Sequence, residues 1–383
     1  MQEPLKPLSY TTSDDLELHR ALMNAANTYL ARRGDHRFAN AAFIGKLLLL
    51  TLLCLIFYVL SLCQTSFWGF AGAYGAFIFI AMSLAVNVIH DASHNVVFRR
   101  QWANRLLNIV VSIPLGMDPD CWRVRHILFH HAHVNVQHYD LDIEENGVLR
   151  QSPFHRFRFF MRAQRFYWPL VAALTFPCII WFFDWRDRAG KTPVTPKMAA
   201  QGAAGWLIFL LSKALHALLA LALPWLLLTP APLSAGALLL VYLASQMLAS
   251  LIFVVLILGS HWAKATFYQP PEDGIIRHGR YQHTFATTVD WHTRPVWLGY
   301  WLGQLNLHLT HHLFPNWNHR HYPALAQIIA EVAPRYGAQY QCVTLAQILR
   351  TQQRFLQKMG EGPPDGESGP EPTRAHADRR DGQ

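Results

Sequence analysis

Charged side chains are scarce in this chain. Asp, Glu, Lys and Arg together make up 15% of its 383 residues, whereas a soluble domain averages about 25%. Hydrophobic residues account for 52% and aromatic residues for 13%. This balance excludes an ordinary soluble globular protein and predicts segments that cross a membrane.

Cysteine is equally sparse. The five cysteines, Cys54, Cys63, Cys121, Cys178 and Cys342, are far apart and form no CxxC pair. Their spacing excludes a disulfide framework, a thiolate metal site and an iron–sulfur cluster. We therefore expect isolated thiols in a reducing compartment.

Other familiar signals are also missing. No GxGxxG motif follows a strand-like segment, and residues Met1–Arg37 lack the apolar run of a secretory signal. We expect the N-terminus to stay in the cytoplasm. The net charge of +9 is what the cytoplasmic loops of a membrane protein carry, so no nucleic-acid partner is expected.

Long apolar runs, by contrast, are abundant, and four of them have the roughly 20 residues that cross a bilayer. The turns Gln64–Ser66 and Thr229–Pro232 carry no charge, so the positive-inside rule places both outside. The prediction is an all-α integral membrane protein with about four transmembrane helices in two hairpins, interfacial helices and a cytoplasmic histidine-rich cap. The four predicted spans are Phe43–Cys63, Trp68–Ile89, Ala203–Leu228 and Leu233–Leu258.

A fifth apolar stretch, Phe166–Phe183, is 18 residues long and contains Pro169 and Pro177. If it crossed the membrane, the histidine clusters before and after it would lie on opposite faces. We therefore predict an interfacial or re-entrant segment, and the same for Leu106–Met117, which is too short to cross.

Nine of the 21 histidines stand at the ends of apolar segments. Imidazole is the commonest transition-metal ligand, and a zinc ion takes only three or four ligands, so nine histidines have room for two metals. A single HxxxH pair is a weak signal, but three clusters on one membrane face favour a two-metal centre. The clusters are His90 and His94; His126, His130 and His131; His308, His311 and His312; and the lone His261.

Helical spacing predicts which imidazoles meet. Residues four apart share a helix face, so His126 and His130 should converge, while His131 points about 100° away, toward a second metal. His308, His311 and His312 fall within one arc of a helix, and His133 is a weaker candidate.

The remaining histidines receive simpler interpretations. His216, in a span beside Lys213, is predicted to form an interhelical hydrogen bond. Seven others are predicted to lie on the basic cytoplasmic surface: His138, His155, His278, His283, His292, His319 and His321.

Three motifs together carry a family resemblance. HDxxH at His90–His94, WRxxHxxxHHxxxN at Trp122–Asn135, and LNxHxxHHLFP at Leu305–Pro315 followed by HYP resemble the three histidine boxes of the membrane fatty acid desaturases. The likeness runs from about Asp14 to Cys342, and it is strongest to the bacterial branch related to front-end and linoleoyl desaturases. It implies an enzyme of the bacterial inner membrane in which two iron ions, O2 and two electrons introduce a double bond into a fatty acyl chain linked to lipid, CoA or acyl carrier protein.

The resemblance also implies roles for particular residues. It assigns metal ligation to His90, His94, His126, His130, His131, His308, His311 and His312, with His261 as the ninth ligand. Asp91, Asp140 and Asn135 are candidates for fixing imidazole orientation, while Asp142 is as readily a solvated carboxylate. The predicted domains are a cytoplasmic arm (1–42), a membrane desaturase domain (43–359) and a tail (360–383) whose Gly, Pro and charge content predicts disorder.

Two departures from the family pattern matter. Many front-end desaturases have Gln where this chain has His308, and the chain lacks the His-Pro-Gly-Gly haem signature of a fused cytochrome b5 domain. We therefore expect electrons from a separate carrier, a ferredoxin or a cytochrome b5 with its reductase, docked on arginines between Arg150 and Arg165. Two alternatives stay open: a hydroxylase or acetylenase at the same centre, and a zinc-binding membrane hydrolase or receptor.

Overall fold

The structure is a computed structural model that describes residues 5–11, 15–194, 197–198, 201–228, 233–264 and 266–362. Helices dominate it. In chain order they are α1 (Leu16–Arg33), α2 (Ala41–Leu62), α3 (Phe67–Ser93), α4 (Gln101–Ser112), α5 (Pro119–Arg123, continued by a π-helical turn Val124–His130), α6 (Phe159–Arg188), α7 (Gly202–Leu228), α8 (Ala235–Trp262), α9 (Arg280–Thr287), α10 (Trp297–Trp301), α11 (His308–Leu313), α12 (Tyr322–Val332) and α13 (Leu345–Gly360).

Four short strands complete the described part of the chain. They are β1 (Ser9–Tyr10), β2 (Ile275–Ile276), β3 (Asp290–His292) and β4 (Cys342–Thr344). β1 pairs with β2 and β3 with β4, both in parallel. Each pairing ties a terminal segment of the chain to the region between α8 and α11.

Within the described residues, five helices are long and apolar enough to cross a membrane: α2, α3, α6, α7 and α8. The predicted helical membrane protein is confirmed, and the four predicted spans coincide with α2, α3, α7 and α8. The fifth is α6, a 30-residue helix where the sequence predicted a shorter segment.

Neither proline interrupts α6, and a contact from α8 supports the turn before the second of them. The Ser250 hydroxyl accepts a hydrogen bond from the Phe176 backbone N–H at 3.1 Å and donates to the Ala172 carbonyl at 2.6 Å. It thereby satisfies backbone groups in the turn that precedes Pro177, as neighbouring hydroxyls do in membrane helices. A π-helical turn, Ile179–Phe183, then carries the helix on.

Polar side chains inside the apolar bundle are paired. His216 bonds through Nε2 to the Tyr242 hydroxyl at 2.9 Å and through Nδ1 to the Ile113 carbonyl at 3.1 Å, which confirms the predicted interhelical hydrogen bond. Lys213 Nζ lies 2.7 Å from the Asp184 carboxylate. These contacts remove most of the cost of burying polar groups among apolar helices.

The N-terminal helix α1 packs against α12. Leu18, Leu22 and Ala26 of α1 are buried in one apolar cluster with Leu325 and Ile329 of α12. At the other end α13 packs Phe355 against Trp262 of α8, with ring centroids 5.6 Å apart. The helix continues to Gly360, and the rest of the predicted tail, from 363 to 383, lies outside the described residues.

Candidate metal centre

All nine histidines of the clusters are buried, and they come from four segments of the chain. His90 and His94 end α3, and His261 ends α8. His126, His130 and His131 belong to the π-helical turn after α5, while the last three lie on α11. None is more than 8% exposed.

Eight of these imidazoles form two groups of four. In the first group, His90, His94, His126 and His311, one nitrogen from each ring lies within 4.8 Å of all the others. The Nε2 atoms of His90 and His311 are 2.8 Å apart. Four converging nitrogens are the donor set of a transition-metal site.

The second group contains His130, His261, His308 and His312 at the same spacing. Nε2 of His308 lies 2.8 Å from Nε2 of His261 and 3.3 Å from Nε2 of His312. Neighbouring residues of α11 thus serve different groups, because His311 turns to the first and His312 to the second.

His131 lies between the two groups. Its Nε2 is 2.7 Å from Nε2 of His311 and 3.1 Å from Nε2 of His126, and its ring stacks on His312 with centroids 4.2 Å apart. Its ring plane is at 87° to that of His130, so the two neighbours point to different places, as helical spacing predicts.

The expected convergence of His126 and His130 on one metal group is not what the structure shows. Their rings stack 5.7 Å apart, but the two residues belong to different groups. The reason is the π-helical turn, in which the His131 N–H bonds to the His126 carbonyl at 2.8 Å. An i to i+5 hydrogen bond widens the turn, so that residues five apart, His126 and His131, meet through their Nε2 atoms.

Carboxylates and a phenol hold several rings from behind. Nδ1 of His90 lies 3.0 Å from Asp91, and Nδ1 of His130 lies 3.0 Å from Asp140. Nδ1 of His311 lies 2.9 Å from the Tyr322 hydroxyl. Each contact fixes a ring orientation and leaves Nε2 to face the cluster.

Asn135 supports this arrangement through Asp140. Its backbone N–H donates to Asp140 Oδ2 at 2.8 Å, and its side-chain amide donates to the Thr266 carbonyl at 2.9 Å. Asp142 is more exposed, and its Oδ2 lies 3.4 Å from Nδ1 of His130. His133 is turned away and packs against Tyr139, so it is in neither group.

The electrostatics suit metal binding. Burial, reinforced by the neighbouring imidazoles, lowers the pKa of His126, His131, His311 and His312 well below its usual range, so these rings are neutral. Neutral imidazole is the form that binds metals. Nε2 of His94 and of His130 are buried without a hydrogen-bond partner among the described residues. A metal ion in each group would satisfy one of these two atoms, so the residues fit such ions.

The structure corrects the prediction for four of the seven histidines assigned to the surface. His155, His283, His319 and His321 are at most 6% exposed, whereas His138 and His292 are exposed and His278 is half-buried. Each buried ring bonds to a distant part of the chain or to a local turn, such as His283 Nε2 to the Val134 carbonyl at 2.7 Å. Polar sequence context alone gives no sign of such contacts.

Sequence reasoning also left Tyr322 and Lys46 without a role. Tyr322 stands in the His-Tyr-Pro motif that contributed to the resemblance, but the motif does not say what its hydroxyl contacts.

An apolar cavity lies between α3 and α8, lined by Met82, Val86, Phe253, Leu256, Leu302 and Leu305. One of its lining residues, Leu305, precedes His308 by three residues along the chain.

Comparison with known proteins agrees with this geometry. A family model described as fatty acid desaturase matches residues 65–344, which include every clustered histidine. The chain belongs to the fatty acid desaturase family. This desaturase is a membrane oxidoreductase that acts on fatty acyl chains.

Three relatives have names that specify desaturation of lipid-linked chains. The desaturase is 27% identical to an sn-1 linoleoyl-lipid 6-desaturase of Synechocystis, covering 74% of this chain and 79% of the relative. A protein of the same name from Arthrospira platensis is 25% identical, over 73% and 75% of the two chains. An acyl-lipid (8-3)-desaturase of Physcomitrium patens is 26% identical over 74% of this chain, which spans 58% of that longer protein.

Proposed function

We propose that this desaturase holds two iron ions, one in each group of four histidines, with His131 between them. The observation that carries the proposal is the pair of adjacent buried four-nitrogen groups. The proposed ligands are His90, His94, His126, His130, His131, His261, His308, His311 and His312. When bound, such iron supplies the O2 chemistry that breaks an unactivated C–H bond.

The chain's own residues orient the ligands and exclude water. Asp91, Asp140 and Tyr322 hold imidazole rings from behind, with Asn135 supporting Asp140. The reaction converts CH2–CH2 to CH=CH and reduces one O2 to two waters. The acyl chain supplies two of the four electrons and two of the four protons. The carrier supplies the other two electrons, and the solvent supplies the other two protons.

The proposed substrate is a fatty acyl chain linked to a membrane lipid. Two observations support it: the three relatives described above are named for lipid-linked chains, and an apolar cavity lies between α3 and α8. In this proposal the acyl tail enters the apolar space between these helices, and the depth of that space selects the bond that is desaturated.

The proposed electron donor is a separate protein, a ferredoxin or a cytochrome b5 with its reductase. Exposed Arg156, Arg158 and Arg162 form a basic surface that suits an acidic carrier. Arg150 is not part of that surface, because it is buried and its guanidinium bonds to the carbonyls of Pro153, His155 and Met359.

The proposed topology has four spans, with the centre and both termini on the cytoplasmic side of a bacterial inner membrane. α6 is then re-entrant or interfacial despite its length. Contacts at its two ends support this: Gln164 donates to the Leu356 carbonyl of α13 at 2.7 Å, and Arg188 lies 2.8 Å from Asp118, directly before α5. In the proposed topology α13 and the segment before α5 both lie on the side of the histidine centre.

Expression in a host of known lipid composition tests the function. A desaturase yields an acyl chain lighter by two hydrogens, whereas a hydroxylase adds one oxygen. Metal analysis of the purified protein should find two irons per chain. Zinc without iron, and no O2 consumption, would support the membrane hydrolase or receptor instead.

A further inference from the structure

A buried chain of polar side chains leads from α2 to the metal centre. Lys46, Asp91 and His319 are 3%, 0% and 1% exposed. They come from α2, from α3 and from the loop after α11, so three distant segments meet here. Buried polar groups are costly unless they are paired. Lys46 bonds to His319, and Nδ1 of His319 lies within ion-pair distance of Asp91.

Asp91 is the acceptor at the centre of this chain. Its Oδ1 lies 3.0 Å from Nδ1 of His90. Its Oδ2 accepts hydrogen bonds from the Asn318 amide at 2.7 Å and from the His319 backbone N–H at 3.0 Å, and Nδ1 of His319 is also 3.0 Å away. One oxygen therefore faces the metal centre, and the other is surrounded by donors.

Lys46 sets the tautomer of His319. A lysine ammonium can only donate, so Nε2 of His319, 3.0 Å from Lys46 Nζ, is the acceptor. The ring proton of neutral His319 is consequently on Nδ1, facing Asp91. Lys46 is itself held by the Tyr300 carbonyl at 2.9 Å and by the Tyr300 ring, whose centroid is 4.1 Å from Nζ.

The loop that carries His319 is also fastened. Asn318 N–H donates to the Arg37 carbonyl at 2.9 Å, and Arg320 forms a two-pronged ion pair with Asp35 at 2.7 and 2.8 Å. His319 is thus fixed from both sides, so its position relative to Asp91 is set by the fold.

We propose that His319 and Lys46 are positioning residues for the metal centre. They hold Asp91 as an acceptor that keeps the His90 proton on Nδ1, which leaves Nε2 of His90 free to bind a metal ion. The inference rests on the proposed two-metal centre, in which His90 belongs to the first group.

Metal titration of the purified full-length protein tests the proposal without relying on turnover. Cobalt(II) is the probe, because its absorption spectrum reports ligand geometry. We expect His319→Ala to weaken cobalt binding at one of the two sites by roughly 10- to 100-fold, because losing a group that orients a ligand usually lowers metal affinity by that factor. The cobalt spectrum should change as well. His319→Gln should restore most of both, since its amide can donate to Asp91 and accept from Lys46. The matched control is His155→Ala, another buried histidine, whose Nδ1 accepts from the Gln151 N–H.

Lys46→Met breaks the same chain one step further from the metal and should weaken the same site. Titrations of His319→Ala and Lys46→Met that match wild type would overturn the inference. If His319→Ala does not accumulate in the membrane, an unchanged Lys46→Met titration is sufficient to overturn it. Fewer than two cobalt ions bound by wild type would instead reject the proposed two-metal centre, so the two failures are distinct.

Discussion

His311 contacts both His90 and His131 through Nε2, so its loss should disturb more of the centre than a typical substitution. We expect His311→Ala to abolish turnover and to lower iron content, and the same for Ala at His130, His131 or His312, because a missing ligand leaves an open or empty site. His292→Ala, at an exposed position, is the control. A His311→Ala enzyme that keeps iron and activity would contradict the two-metal assignment.

Tyr322 contacts the proposed ligand His311 and is not itself a proposed metal ligand. Tyr322→Phe removes the hydroxyl that faces Nδ1 of His311 and leaves a buried ring nitrogen unbonded. We expect metal affinity to fall by roughly 10- to 100-fold, because groups that orient ligands contribute that much. Tyr29→Phe is a suitable comparison, since Tyr29 bonds to His321, which is in neither metal group. Equal metal affinities for the two variants would count against the role of Tyr322.

Asp290 links pH to the stability of the third histidine box. Its carboxylate accepts from the Thr310 N–H at 3.1 Å and the Tyr340 hydroxyl at 3.0 Å, but burial raises its pKa to about 6. The unfolded pKa is about 3.9, so the native state binds the proton more tightly and gains stability as pH falls through 6.

The thermal midpoint of wild type, measured relative to that of Asp290→Asn, should therefore be higher at pH 5 than at pH 7. Thermal denaturation of the detergent-solubilised proteins measures it. A relative midpoint that falls on acidification would show that the hydrogen-bond donors outweigh burial.

At the scale of elements, the proposed topology can be tested at the two ends of α6, which does not cross the membrane if there are four spans. Single cysteines at exposed Arg162 and Lys191, on a background without native cysteine, should react with an impermeant thiol reagent only after lysis, because the proposed four-span topology puts both ends of α6 on the cytoplasmic side. A cysteine at Thr65, in the turn between α2 and α3, should react from outside. Labelling of Lys191→Cys in intact cells would make α6 a fifth span.

Apolar run length was enough to predict α2, α3, α7 and α8, because a bilayer imposes about 20 residues on any helix that crosses it. The continuity of α6 could not be predicted, since the Ser250 hydroxyl that completes its backbone bonding belongs to another helix. Motif spacing identified all the clustered histidines. It could not assign them to groups, because the π-helical turn changes which residues share a face.

At the scale of the whole molecule, the chain needs an electron supply. The purified enzyme with O2 and a lipid-linked acyl substrate should complete at most one turnover, and adding a ferredoxin or cytochrome b5 with its reductase should restore cycling. The rate should fall as salt increases, because ions screen the attraction between the basic surface and an acidic carrier. Repeated turnover with NADPH alone, in a preparation free of other proteins, would contradict a separate carrier.

The packing of α1 against α12 has a consequence for the order of biosynthesis. Leu22 and Leu325 lie in one apolar cluster, yet about 300 residues of synthesis separate them. A nascent chain that stops before His308 holds three histidines of the first metal group and two of the second. All five helices long enough to cross a membrane within the described residues precede His308, but both groups of histidines are complete only after His312. An unfinished chain therefore lacks the full ligand set of either proposed metal ion.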